Sequence, residues 1–171
     1  MKSVGTFGIV FAAALTAAAA GGQGPALGQA TGSFTVDGKP VSFTRAYARS
    51  TKDSQGKDGT SVLLTDKPVP DALLKQPDAS LNDVLQAAKV NGLYFWIAAD
   101  GEAGSWSWIH PGLSIGCAYC SDLQVKLEPK AAGAIAGEAF SAKTQSFMKH
   151  SYEFRARFNA GLGAAPSAPK K

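Results

Sequence analysis

The sequence has few of the side chains that enzymes commonly use for catalysis or metal binding. Its 171 residues include only two histidines and two cysteines. It lacks a His-Glu-x-x-His motif, a Gly-x-Ser-x-Gly motif, a phosphate-binding glycine loop and a dinucleotide fingerprint. We therefore assign no catalytic residue and no cofactor. Whether the protein is an enzyme stays open, with a non-catalytic role favoured.

Clustered positive charge is also missing. The chain carries 17 Lys and Arg against 13 Asp and Glu, a formal net charge of +4. These basic residues are scattered, apart from Lys170 and Lys171 at the end of the chain. A nucleic-acid-binding domain normally carries a basic patch or stripe, so no nucleic-acid partner is expected.

The N-terminus resembles a secretory signal peptide. Lys2 is followed by an apolar run over residues 4–20. Small residues permit cleavage after Ala20 or after Ala30, and the second is favoured because residues 21–29 show no structural pattern. An uncleaved anchor is the alternative, although the run is a little short for a membrane span. With no cysteine nearby for lipid attachment, we expect a periplasmic or secreted protein that is not membrane-bound after cleavage.

Alternation of polar and apolar residues predicts one β-rich domain over residues 31–160, followed by a low-complexity tail over residues 161–171. The alternation flanks Asp37 and Gly38, which is typical of a β-hairpin, and recurs over residues 123–128 and 152–159. The second strand is expected from Val41 to Tyr47. Strands and helices do not alternate, so the fold class is mainly β: an antiparallel sandwich or barrel of about eight strands.

One amphipathic helix is predicted at about residues 78–91. Ser80 and Asp83 have the spacing of a capping box, and apolar residues then recur at helical spacing. Asn91 and Gly92 provide a C-terminal stop. Residues 50–59 contain no apolar side chain, and we expect a mobile loop there that either connects a hairpin or grips a ligand.

Trp106, Trp108 and His110 fall on one face of a predicted strand and are the candidate ligand-binding residues. Paired tryptophans on a strand face are usually core residues. The functional alternative is an exposed aromatic platform for a protein, peptide or glycan. The sequence leaves the identity of such a ligand open.

Cys117-Ala118-Tyr119-Cys120 has three interpretations. A structural disulfide is favoured for an exported protein, and it requires a turn, because residues three apart in a strand lie about 10 Å apart. A redox-active pair is disfavoured because no helix follows to activate Cys117. A zinc site formed with His110 and His150 is disfavoured to the same degree, because the usual histidine spacing is missing. Ser121 excludes a haem attachment motif.

Three segments carry a resemblance to known proteins: Gly-Ser-Phe-Thr-Val-Asp-Gly-Lys-Pro-Val over residues 32–41, Ala-Tyr-Ala over residues 46–48, and Leu-Leu-Thr-Asp-Lys-Pro over residues 63–68. Together they resemble the N-terminal half of small exported bacterial proteins of unknown function. The resemblance implies a secreted bacterial β-protein and no activity. We therefore expect an exported, non-catalytic binding or envelope-associated β-module, with thiol redox or zinc-binding chemistry at Cys117 and Cys120 as the alternative.

Overall fold

The computed structural model describes residues 24–163, except residues 54, 77, 112, 118–121, 131 and 148; the side chains of residues 114–117 are also not described. The described residues form eleven strands and two helices. The strands are β1 (Gln29–Val36), β2 (Lys39–Ser42), β3 (Arg45–Lys52), β4 (Asp58–Thr65), β5 (Gly92–Ala98), β6 (Ala103–His110), β7 (Leu113–Cys117), β8 (Leu123–Glu128), β9 (Ala134–Ser141), β10 (Gln145–Phe147) and β11 (His150–Gly163). The helices, between β4 and β5, are α1 (Asp71–Leu74) and α2 (Leu81–Ala88).

The strands form one antiparallel sheet that curls into a half-barrel. Its order is β7, β6, β5, β4, β3, β1, β11, β9, β8, with β2 added to β1 and β10 added to β11. A short parallel pairing also joins the end of β11 to β3, where Leu162 and Gly163 lie opposite Ala48 and Arg49. The predicted mainly β, antiparallel fold class is confirmed.

The strand predicted from Val41 to Tyr47 is two strands in the structure. A second partner appears at the break: the N–H of Phe43 donates to the carbonyl of Gly32 on β1, whereas that of Thr44 donates to the carbonyl of Thr65 on β4. From there β3 pairs with β4 along its whole length and with β1 only at Arg45. The prediction was wrong here because the break depends on a residue far along the chain.

Inward-facing side chains fill the concave side of the half-barrel. Register places them together: Phe34 pairs with Phe154 and Val36 with Tyr152 across β1 and β11. All four are buried, and their outward neighbours on β11 are exposed or half-buried. Burying each large apolar side chain contributes about 1.5 to 3 kcal/mol, and this inner cluster contains more buried residues than the cluster on the convex face.

Helix α2 covers part of the convex face. The predicted capping box is present: the Ser80 hydroxyl accepts the N–H of Asp83, and the Asp83 carboxylate accepts the N–H of Ser80. Leu81 and Leu85 are buried against Leu63 of β4. The helix therefore lies on the sheet as its apolar stripe indicates.

Both predicted limits of this helix extend too far. The structure has the helix from Leu81 to Ala88, after which Lys89 adopts a left-handed conformation with φ 53°. Asn91 is held instead by Asp66, whose carboxylate accepts hydrogen bonds from the backbone and side-chain N–H groups of Asn91 at 3.0 and 2.8 Å. This contact with the end of β4 turns the chain into β5.

The sheet extends beyond both limits of the domain predicted over residues 31–160. Gln29 and Ala30 begin β1 and pair with Asn159 and Phe158, and residues 161–163 continue β11. The predicted loop over residues 50–59 is shorter than expected, since β3 runs to Lys52 and β4 begins at Asp58. It is a hairpin connection in which the Asp53 carboxylate accepts backbone N–H groups.

Candidate functional site

Trp106, Trp108 and His110 share one face of β6, as predicted, and that face points into the half-barrel. Their exposed fractions are 3%, 0% and 5%. The two indoles stack with ring centroids 4.5 Å apart and an interplanar angle of 13°. They are core residues, and the structure does not present them as an exposed aromatic platform.

The rings around Trp108 occupy the interior at this end of the sheet. Phe34 lies 4.6 Å from Trp108, and Tyr152 lies 4.5 Å from it, between ring centroids. His110 packs edge-on against Phe34, and its Nε2–H donates to the carbonyl oxygen of Lys39 at 2.9 Å. The candidate binding residues are thus in contact mainly with other side chains of the protein.

Asp122, immediately before β8, was not identified from the sequence, although it bonds to two of the buried aromatic side chains, Trp106 and Tyr152. Its Oδ1 accepts the Trp106 indole N–H at 3.2 Å, and its Oδ2 accepts the hydroxyl of Tyr152. Burial, and then the hydrogen bond and charge of Asp122, raise the pKa of the Tyr152 phenol. The arrangement holds a neutral tyrosine beside a carboxylate.

The predictions for the cysteines lie outside the described residues, because residue 120 and the side chain of Cys117 are not described. The backbone of Cys117 pairs with Trp106, which is four residues, or about 13 Å, along β6 from His110. The backbones of Cys117 and His110 therefore lie at opposite ends of the pairing between β6 and β7. The disulfide, redox and zinc interpretations of the cysteine pair stay predictions.

His150 lies at the turn between β1 and β2. Its Nδ1–H donates to Oδ2 of Asp37 at 2.6 Å, and His110 contacts Lys39, the first residue of β2, from the interior. Over residues 24–163, leaving out the gaps given above, no group of three or more His, Cys, Asp or Glu side chains is arranged to hold a metal ion.

A separate pocket of about 330 Å³ lies on the convex face, where α1 and α2 meet β3 and the end of β11. Its volume is at the lower end of the range of small-molecule sites, about 300 to 1,000 Å³. Most of its lining is apolar or backbone. The lining residues are Leu27, Gly28, Ala46, Tyr47, Ala48, Arg49, Leu74, Leu81, Gly161 and Gly163.

Two glycines at the end of β11 leave space for this pocket. Gly163 lies opposite Arg49 in the parallel pairing, and Gly161 faces the same side of the strand. A Cβ atom at Gly161 would meet only Leu27 Cδ1, at 3.9 Å, and one at Gly163 would make ordinary contacts at 3.5 Å or more. Side chains at these two positions would occupy the space between β3 and the helices.

Arg49 provides the one charged group in the pocket lining that the structure describes. The residue is 7% exposed. Its guanidinium donates to the carbonyl oxygen of Ala79 at 2.7 Å and to that of Leu74, so it joins the end of α1 and the approach to α2. Within the described residues Arg49 forms no ion pair with Asp or Glu.

Burial lowers the pKa of the Arg49 guanidinium from its ordinary value. Arginine nevertheless stays protonated in proteins at neutral pH. The two carbonyls satisfy part of its hydrogen-bonding capacity without neutralising its charge. An anion that entered the pocket would meet a positive charge already fixed in position.

This pocket was not predicted from the sequence. Strand alternation assigns Arg49 to the convex face together with Tyr47, where an arginine is ordinarily solvated. The helices that bury it begin more than 20 residues later in the chain. A usable sequence signal was the pair of glycines at positions 161 and 163, which depart from the alternation of large side chains earlier in β11.

No helix in the described part of the chain is both long enough and apolar enough to span a membrane. A scan against protein-family models found no matching family, and searches of the curated proteins and of the solved structures found no match.

Proposed function

We propose that the protein is an exported, non-catalytic binding module and that its ligand site is the convex-face pocket at Arg49. One observation carries the proposal: Arg49, a buried arginine that forms no ion pair within the described residues, lines a mostly apolar pocket, and its guanidinium bonds to Leu74 of the same lining. Apolar walls with a few fixed polar groups are typical of sites that bind small molecules. The inner aromatic cluster packs against the opposite face of the same sheet.

The lining supports binding rather than catalysis. Among its described residues, the groups with side-chain hydrogen-bonding atoms are Arg49 and Tyr47. The Tyr47 hydroxyl already accepts the backbone N–H of Val69 at 3.0 Å. No histidine, carboxylate or thiol lines the pocket in the described residues, so a general acid or base in the usual pKa range is not supplied there.

A pocket-filling variant tests the proposal. Gly161→Leu places a side chain where the structure has open space, and Gln124→Leu adds the same side chain at an exposed position on β8, away from the pocket. We expect wild type to bind octanoate or 1-octanol saturably at one site in isothermal titration calorimetry. Gly161→Leu should weaken binding at least tenfold, and Gln124→Leu should not change it. Equal binding by both variants would place the site elsewhere.

A further inference from the structure

The charge of Arg49 restricts the chemistry of a ligand in this pocket. We infer that the pocket takes a small amphiphilic monocarboxylate, with its carboxylate on the Arg49 guanidinium and its apolar part against Leu27 and Leu74. This inference rests on the proposed function and adds to it the chemical class of the ligand.

The hydrogen bonds of Arg49 favour an anionic ligand. A guanidinium has five N–H donors, and the structure gives two bonds from it, both to neutral backbone carbonyls. A buried positive charge without a counter-ion is unfavourable, and a bound carboxylate would supply that counter-ion. Hydrogen bonds between a guanidinium and a carboxylate are among the strongest in proteins because both partners are charged.

The same bonds keep the guanidinium in place before a ligand arrives. Ala79 and Leu74 hold it from two points on the connection between α1 and α2. Its long side chain therefore loses little further conformational freedom on binding, which favours affinity. The cation is part of the pocket wall rather than a mobile surface side chain.

The size and composition of the pocket favour a single negative charge and an apolar body. Arg49 is the one charged residue in the described lining, so a dianion such as a phosphate monoester would keep an unneutralised charge. The volume of about 330 Å³ accommodates on the order of ten non-hydrogen atoms, if each takes about the volume of a water molecule. Octanoate is of that size.

Three ligands that share an eight-carbon chain distinguish the contribution of ligand charge to binding from that of apolar contact. Full-length protein is titrated with octanoate, 1-octanol and octylammonium at neutral pH by isothermal titration calorimetry. We expect octanoate to bind at least tenfold more tightly than 1-octanol, and octylammonium to bind least. Equal affinity for octanoate and 1-octanol would overturn the inference and leave the pocket function intact, whereas no binding of any of the three would overturn both.

Variants of Arg49 test whether its charge causes the preference for octanoate over 1-octanol. Arg49→Gln should reduce the affinity for octanoate to that for 1-octanol, and Arg49→Lys should retain part of the preference. Retention of the full preference in Arg49→Gln would overturn the inference.

Because Arg49 also supports the helices, a second measurement does not depend on the variants folding. Lowering the pH through the pKa of a carboxylic acid, about 4 to 5, should bring the wild-type affinity for octanoate down to that for 1-octanol. A preference that persists in the neutral acid would contradict the role of charge. Tighter binding of the dipeptide acetyl-leucyl-leucine than of octanoate would instead assign the site to a peptide C-terminus.

Discussion

The indole N–H of Trp106 donates a hydrogen bond to Oδ1 of Asp122, with 3.2 Å between the two heavy atoms. Trp106 lies on β6 and Asp122 immediately precedes β8, and six strands separate β6 from β8 in the order of the sheet. The other oxygen of the same carboxylate accepts the hydroxyl of Tyr152 on β11. One carboxylate therefore joins the two sides of the half-barrel where the sheet itself is open.

Removing this carboxylate should destabilise the fold. Asp122→Ala leaves the Trp106 indole N–H and the Tyr152 hydroxyl without their acceptor, and a hydrogen bond to a charged group contributes about 1.5 to 3 kcal/mol. We expect the free energy of unfolding to fall by about 2 kcal/mol or more in urea denaturation at neutral pH. Asp58→Ala is the control, because its ion pair with Lys52 is exposed and should change stability by less than about 0.5 kcal/mol. Equal losses of unfolding free energy in the two variants would contradict a stabilising role for the Asp122 contacts.

The raised pKa of Tyr152 predicts a loss of stability at alkaline pH. In the unfolded chain the phenol ionises near its ordinary pKa of about 10, whereas burial and Asp122 keep it neutral in the folded protein at that pH. The unfolded state then binds fewer protons, so the contribution is complete below about pH 10 and is lost as the pH rises toward the folded-state pKa. Tyr152→Phe should lose less stability than wild type between about pH 9 and pH 11. Parallel stability curves would contradict this prediction.

The lowered pKa of Asp37 predicts a loss of stability at acidic pH. The hydrogen bond from His150, followed by that from the backbone of Ser151, lowers the pKa of the Asp37 carboxyl. Its contribution to stability is present above the unfolded-state pKa of about 3.9 and is lost as the pH falls through the lower folded-state value. Asp37→Asn is a close match, because asparagine also accepts the left-handed conformation that Asp37 adopts, with φ 48°. Wild type should lose stability more steeply than Asp37→Asn below about pH 5, and equal slopes would count against the assignment.

The position of β1 bears on signal cleavage. Cleavage after Ala30 would remove Leu27 and Gly28 from the pocket and the first two residues of β1, including Ala30, which is 4% exposed. Cleavage after Ala20 keeps all of them. If the N-terminal segment is a signal peptide, we therefore expect cleavage after Ala20 rather than after Ala30, the site that the sequence pattern favours, and the intact mass of the mature chain would distinguish the two. A mature chain that begins at Thr31 would contradict this expectation and would also remove one wall of the pocket.

The sequence predicted those parts of the fold that depend on neighbouring residues. Alternation identified the buried face of β6 with Trp106 and Trp108, and the spacing of Ser80 and Asp83 identified the start of α2. These patterns arise within one strand or one helical turn, so they are visible locally.

The remaining features depend on contacts between distant segments. The division of β2 from β3 follows from the bond between Thr44 and Thr65, and the burial of Arg49 follows from the carbonyls of Leu74 and Ala79. Neither contact produces a recognisable pattern in the neighbouring sequence. The pocket at Arg49 is therefore formed by segments that are distant in sequence, while Trp106, Trp108 and His110, the site residues predicted from the sequence, are buried in the interior.

Both histidines hold the hairpin of β1 and β2: His110 bonds from the interior to Lys39, the first residue of β2, and His150 bonds to Asp37 in the turn. An exposed two-residue turn ordinarily opens early, before the strands that it joins. Here its opening has to break contacts to β6 and to the start of β11 together. In amide hydrogen exchange, the turn should therefore open in the same cooperative unit as β1 and β11 rather than fray alone.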